Sequence, residues 1–275
     1  MKKLRILVSV VMMFMLLNLS IVSAYGATND NSIYQASKTY QSESGIDLAA
    51  LFPDVSDETK VYWKKTFGNT IVKSVTETEQ YFRLDSTQQL VPMTNKEVNE
   101  ISPLDVGSGE NYGIRVFAVT SERDSNGELL IGGNFEWTKT PPLAQGNSKD
   151  GFAIAWNGEL TILRYNASLR YDEGTEYPSA SNINPASGIA IEFSEAIDKG
   201  WFSSNWYLQS GGISATIKKG DGRYKNDSGN VTAQYLHTST TTTVTGLGIS
   251  LSGGNISWTT TENVEPVAAV AAFKY

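Results

Sequence analysis

A chain of 275 residues with a formal net charge of −7, 40% hydrophobic residues and no cysteine has the length for one large domain, or one domain with a small appendage. The acidity disfavours nucleic acid and anionic membrane as partners. The missing thiols exclude a cysteine nucleophile, thiolate metal sites and disulfides, which fits export from a bacterium lacking a dedicated oxidising compartment.

Lys2, Lys3 and Arg5 precede an apolar run from Ile6 to Leu17 and a more polar exit with Val22 and Ala24 at small-residue positions. That order predicts an export signal over 1–24, with cleavage after Ala27 as the alternative. The run is well short of the roughly 20 residues of a spanning helix. Residues 25–45 are rich in Ser, Thr, Asn and Gln and read as a flexible leader. The next stretch, 46–106, reads as a small N-terminal region of short helices and strands. Ile46 to Phe52 suits a short helix stopped by Pro53, and Asp54 to Phe67 a second, with Val55, Glu58, Val61, Tyr62 and Phe67 on its face and Gly68 as its stop. Thr70 to Leu84 reads as one or two exposed strands. Thr94 followed by Glu97 has capping-box spacing ahead of a helix ended by Pro103.

Pro103, Gly107 and Gly109 mark a boundary. From 107 to 275 the pattern is β. Tyr112 to Ser121 is apolar on both parities, as a strand covered on both faces would be. Leu129, Ile131, Phe135 and Trp137 share one parity, as do Phe152, Ile154 and Trp156, then Ile189, Ile191 and Phe193, the period of strands with one face on a core. Asn126-Gly127 and Asn157-Gly158 each predict a hairpin. The stretch from Tyr171 to Ser187 reads as a surface excursion, Ile213, Ala215 and Ile217 as an inward row, and Val267 to Tyr275 as a closing strand. The predicted fold is all-β, an antiparallel β-sandwich, jelly-roll-like or related, behind a small mixed or irregular N-terminal region.

Candidate chemistry is sparse. His237 is the single histidine, beside Tyr235, and no Gly-x-Ser-x-Gly elbow accompanies it; an ordinary core or edge histidine is the expectation. Glu136 and Glu192 have aromatic neighbours suited to glycoside chemistry, but alternation turns both away from the core. The charged turn at Asp221, Arg223, Lys225 and Asp227 places cations where calcium ligands would be needed, and Asp172, Glu173 and Glu176 read as a solvated acidic loop. No catalytic residue, metal site or cofactor is assigned.

The residues assigned to ligand binding are Trp201, Phe202, Trp206 and Tyr207, which come together beside polar loops and could stack on sugar faces. The Ser- and Thr-rich stretch 231–261, with its Gly253-Gly254-Asn255 tip, has the alternation of either a soluble sheet or a pore-lining hairpin. The reading is therefore a secreted bacterial protein, at the cell surface or outside it, that binds an extracellular glycan or cell-envelope component without catalysis. The alternatives are a β-pore-forming toxin-like protein using the Thr/Ser-rich hairpin, the one case with a membrane partner, and a carboxylate-dependent glycan hydrolase.

Overall fold

The computed structural model describes residues 20–23, 31–86, 90–100, 111–139, 149–198, 205–221, 227–238, 248–252, 255–259 and 266–275. Most of the predicted export signal lies outside them, although Ser20–Ser23 (β1) pairs antiparallel with Ala36–Gln41 (β2). Among the described residues no helix is long and apolar enough to cross a membrane.

Two antiparallel sheets face each other, as expected of an all-β sandwich. The larger runs β1, β2, β3 (Val72–Leu84), β5 (Asn111–Ser121), β6 (Glu128–Trp137), β13 (Trp206–Lys219), β8 (Leu160–Tyr171) and β9 (Gly174–Glu176). The short strands β4 (Leu90–Pro92) and β12 (Ala196–Ile197) pair with β3 and β13. The smaller sheet is β10 (Asn182–Asn184), β11 (Gly188–Phe193), β7 (Asp150–Trp156), β14 (Ser228–Leu236) and β17 (Val267–Lys274). A separate hairpin joins β15 (Gly248–Ser252) to β16 (Asn255–Thr259).

The parity sets named above meet between the sheets: Ile114, Val116, Leu129, Ile131, Phe135, Phe152, Ile154, Ile189, Ile191, Ile213, Ile217, Val231 and Ala271 belong to one buried cluster. Each alternate residue supplies one face of the core, so the hydrophobic pattern sets both register and facing. β5 is covered on both sides as expected. Its Phe117 and Val119 point the other way, into a second cluster with Leu48, Phe52, Trp63, Phe67 and Val75 beneath the helices α1 (Leu48–Leu51) and α2 (Asp57–Phe67). Gly133 lies where the sheets approach closely; a Cβ there would stand 2.6 Å from that of Ala233.

Four local expectations change. Ala36–Gln41, within the stretch read as a leader, forms a strand because its hydroxyls find partners: Ser37 Oγ meets Thr78 Oγ1 and Thr39 Oγ1 meets Thr76 Oγ1, each at 2.8 Å. The stretch read as one or two exposed strands is the single strand β3, whose Thr76, Thr78 and Gln80 are buried. β17 is an edge strand, and Thr76 and Thr120 of the opposite sheet donate to its Val270 and Ala272 carbonyls at 2.7 and 3.0 Å, satisfying groups that an open edge would leave to solvent.

The Asn126-Gly127 hairpin between β5 and β6 is present. It is closed by Gly127 N–H donating to the Asp124 carbonyl, with Gly127 at φ +76°. Asn157-Gly158, in contrast, makes no hairpin. β7 is already flanked by β11 and β14, and β8 pairs with β13, so Gly158 at φ +106° turns the chain from one sheet to the other. Finally, α2 buries Thr59, Trp63 and Phe67, while Val61, expected on its inner face, is 65% exposed. The fit of Trp63 and Phe67, one turn apart, into the cluster with Phe52 and Phe117 outweighs one Val.

Candidate functional site: a cleft beneath a helix laid on the open face of the sheet

α2 is a well-specified helix. Ser56 Oγ caps it by accepting from Thr59 N–H at 3.1 Å, Asp57 and Glu58 stand in its first turn, and Lys64 and Lys65 in its last, each sign matching the nearer end of the helix dipole. It is pinned to the larger sheet by side chains. Trp63 Nε1 donates to Asn134 Oδ1 at 2.8 Å, and Gly212, by lacking a Cβ, admits the Tyr62 ring, which would otherwise stand 2.6 Å from that atom.

Strand register explains why this face is polar. Asn134 pairs across Gly212 with Ser168, Glu136 across Ser210 with Arg170, and Gly132 across Ser214 with Asn166. Alternation therefore collects Asn134, Ser168, Arg170, Ser210 and Asn166 on one side while Phe135, Leu169 and Ile213 fill the core. Between these residues and α2 lies a cleft of about 350 Å³, within the size range of small-ligand sites. Its walls include Thr59, Tyr62, Asn134, Ser168, Arg170 and Tyr177. Tyr177 is 61% exposed at its edge, with Lys65 Nζ 5.3 Å from the ring centre.

Two polar atoms of residues that line the cleft lack a hydrogen-bond partner among the described residues, Asn134 Nδ2 and Thr59 Oγ1, and both side chains are almost fully buried. The indole N–H is donor only, so it fixes Asn134 with its oxygen toward Trp63 and its NH₂ left over. A buried donor without a partner is costly.

Below the start of α2, Arg115 gathers three carboxylates. It contacts Glu77 at 2.6 Å and Glu136 and Asp54 at 3.2 Å. Glu136 also accepts from Ser56 N–H and Oγ at 3.2 and 2.9 Å. Burial raises the Glu77 pKa although Arg115 opposes the shift. Glu136, expected on a solvent-facing side, is 4% exposed; it does lie opposite the sandwich core, but the α1–α2 segment covers it. Glu192 belongs to β11 of the other sheet, so these two carboxylates do not face a common bond.

No protein-family model matches the chain, and no curated protein matches it. Among solved structures it is similar to Clostridium perfringens delta-toxin, with 9% identity over 62% of this chain and 83% of that one at a TM-score of 0.19. It is also similar to the collagen-binding domain of Erysipelothrix rhusiopathiae surface protein RspB, with 6% identity over 92% and 93% of the two chains at a TM-score of 0.23. Superpositions this loose assign no function.

Of the four aromatic residues chosen from sequence, Trp201 and Phe202 lie outside the described residues. Trp206 and Tyr207 open β13, both half-buried. The Trp206 ring packs on Gly174 of β9, where a Cβ would stand 2.5 Å from it. Tyr207 lines a second recess with Ser56, Glu58, Asp172 and Gln209, adjoining the cleft at Glu58. Asp172 is a turn acceptor there, taking Tyr207 N–H at 2.9 Å. Much of the loop from Asp221 to Asp227 and of the Ser/Thr-rich stretch also lies outside the described residues. On the return strand β16, Ile256 and Trp258 pack over Ala153, Ala155 and Ala190 on the outer face of the smaller sheet.

Sequence reasoning missed a buried polar cluster around His237. Its Nδ1 lies 3.4 Å from Asp150 and 3.2 Å from Glu195 Oε1. Asp150 Oδ1 accepts Thr238 N–H at 3.0 Å, and Asp150 Oδ2 accepts the Tyr235 hydroxyl, which in turn accepts Trp137 Nε1 at 3.3 Å. Burial, reinforced by Asp150, pushes the Glu195 carboxyl up to about 7. Burial opposes a charged imidazole, but Glu195 and Asp150 hold the His237 pKa well above its ordinary value. One signal was available: His237 continues the parity of Val231, Ala233 and Tyr235, the buried set of β14.

Proposed function

We propose that this protein is an exported, non-catalytic binding module of the cell surface or its surroundings, and that it takes a hydroxyl-rich, glycan-type ligand in the cleft beneath α2. The observation that carries the reading is a cleft whose lining sets the polar side chains of Asn166, Ser168 and Arg170 beside the rings of Tyr62 and Tyr177. A saccharide offers both halves of the complement, hydroxyls for the polar atoms and a C–H face for the rings. The recess at Tyr207 extends the same surface past Glu58, which keeps part of the aromatic group chosen from sequence within reach of a longer ligand.

The test is retention of the purified chain on cell-wall polysaccharide and a panel of immobilised glycans, beside Tyr177→Ala, Arg170→Ala and Tyr207→Ala, with folding checked by circular dichroism. Saturable binding weakened about tenfold by Tyr177→Ala, the loss of one ring contact, supports the cleft. No retention on any material, or binding indifferent to all three substitutions, overturns it. Dye release from liposomes would favour the pore-forming alternative instead. Glycan turnover lost on Glu136→Gln or Glu192→Gln would favour a hydrolase.

A further inference from the structure

We propose that Asp150, Glu195 and His237 form a zinc site that staples the end of the sandwich. The three residues come from separate segments: Asp150 begins β7, Glu195 lies between β11 and β12, and His237 follows β14. Each offers one ligand atom, and these atoms lie within 4.8 Å of one another. The two spacings from His237 Nδ1, 3.2 and 3.4 Å, match the edge of a tetrahedron, which is about 3.3 Å when metal–ligand bonds are about 2.0 Å.

Three further observations point to an ion rather than to a closed hydrogen-bond network. Glu195 is 5% exposed, yet its Oε2 accepts no hydrogen bond among the described residues. Two carboxylates share one imidazole inside a wall of rings, with Phe82 and Trp137 edge-on to His237 at 6.0 Å between centres. A divalent cation would balance both carboxylates beside a neutral imidazole, taking over from protons the compensation that carboxylates need in an apolar interior. Asp150 is also held as a zinc-bound carboxylate usually is, by outer donors, here Thr238 N–H and the Tyr235 hydroxyl.

One nitrogen and two oxygens suit zinc better than calcium or magnesium, which take oxygen ligands in larger number. Three protein ligands leave a fourth position for water. In a chain with no cysteine, a metal link among three segments supplies the cross-link that disulfides give other exported proteins. The site shares no residue with the cleft beneath α2 and stands independently of the ligand proposed there.

The experiment uses the purified full chain, stripped with chelator and dialysed, then titrated with Zn²⁺ by calorimetry and with Co²⁺ as a visible-absorption reporter, with Mg²⁺ as control. The expected result is one Zn²⁺ per chain, tetrahedral Co²⁺ bands, a higher melting temperature with Zn²⁺ and no response to Mg²⁺. Glu195→Gln, close to isosteric and able to fold, should weaken Zn²⁺ binding by more than about 100-fold, and Tyr235→Phe by about 10-fold, since outer partners alone are worth roughly 10–100-fold. His237→Ala should abolish the Co²⁺ bands. Absence of stoichiometric Zn²⁺ binding by the wild-type chain overturns the proposal, as does binding retained in Glu195→Gln and His237→Ala.

Discussion

Trp63 reaches from the buried face of α2 to donate its indole N–H to Asn134 Oδ1 of β6, 2.8 Å away, and this one bond both anchors the helix and fixes which way the Asn134 amide is turned. Trp63→Phe keeps most of the ring packing against Phe52 and Phe117 but leaves Asn134 Oδ1 without its donor. The expected cost is about 1–3 kcal/mol of stability in urea unfolding, the penalty for a stranded buried acceptor. Ligand retention should weaken as well, because the amide is then free to turn over. Unchanged stability would show that the bond carries no net weight.

Arg115 is expected to be the most sensitive charged residue of the larger sheet. Replacing it with Met leaves Glu136 buried and Glu77 nearly so, and stranding buried carboxylates in this way costs roughly 3–5 kcal/mol. Asp54 touches the same guanidinium, but its side chain is 73% exposed, so Asp54→Asn should change stability by less than about 1 kcal/mol. Thermal unfolding of the two variants separates them; equal losses would contradict the ranking.

The capping box read from Thr94 and Glu97 is present at the helix α3 (Asn95–Glu100) and gives a pH dependence with a defined sign. Glu97 Oε2 accepts Thr94 N–H at 2.8 Å and the Thr94 hydroxyl at 2.9 Å, and Arg83 donates to Oε1. The Thr94 backbone donor is the leading cause that lowers the Glu97 pKa, over the opposing effect of burial. The unfolded chain therefore binds this proton more tightly than the folded one. The stabilisation is complete above the ordinary carboxylate range, about 4.3, and is lost as pH falls through the lower folded value. Glu97→Gln should remove that part of the acid limb, and Thr94→Ala should cost about 0.5–2 kcal/mol. An acid limb identical in Glu97→Gln would refute the assignment.

Much of the sandwich was legible because strand alternation is a local signal. The apolar parity of Phe152, Ile154 and Trp156 or of Ile213, Ala215 and Ile217 states which side meets the core, whatever the partner strand is. The capping box and the Asp124–Gly127 turn are likewise settled within a few residues. Asn157-Gly158 shows the limit. Its local chemistry is that of a hairpin, but pairing depends on which strand edges are vacant, and β7 had none to offer β8.

The sequence by itself determined the all-β class, the inward rows, the Asn126-Gly127 turn and the cap at Thr94, since each rests on neighbours two to four positions apart. Only the tertiary structure decided that Asn134, Ser168 and Thr59 wall one cleft, that Glu136 is sealed beneath α2 by Arg115, and that Asp150, Glu195 and His237 converge. These groups are drawn from segments tens of residues apart, and strand order and register, set by competition among many similar apolar faces, carry no marker in any one segment.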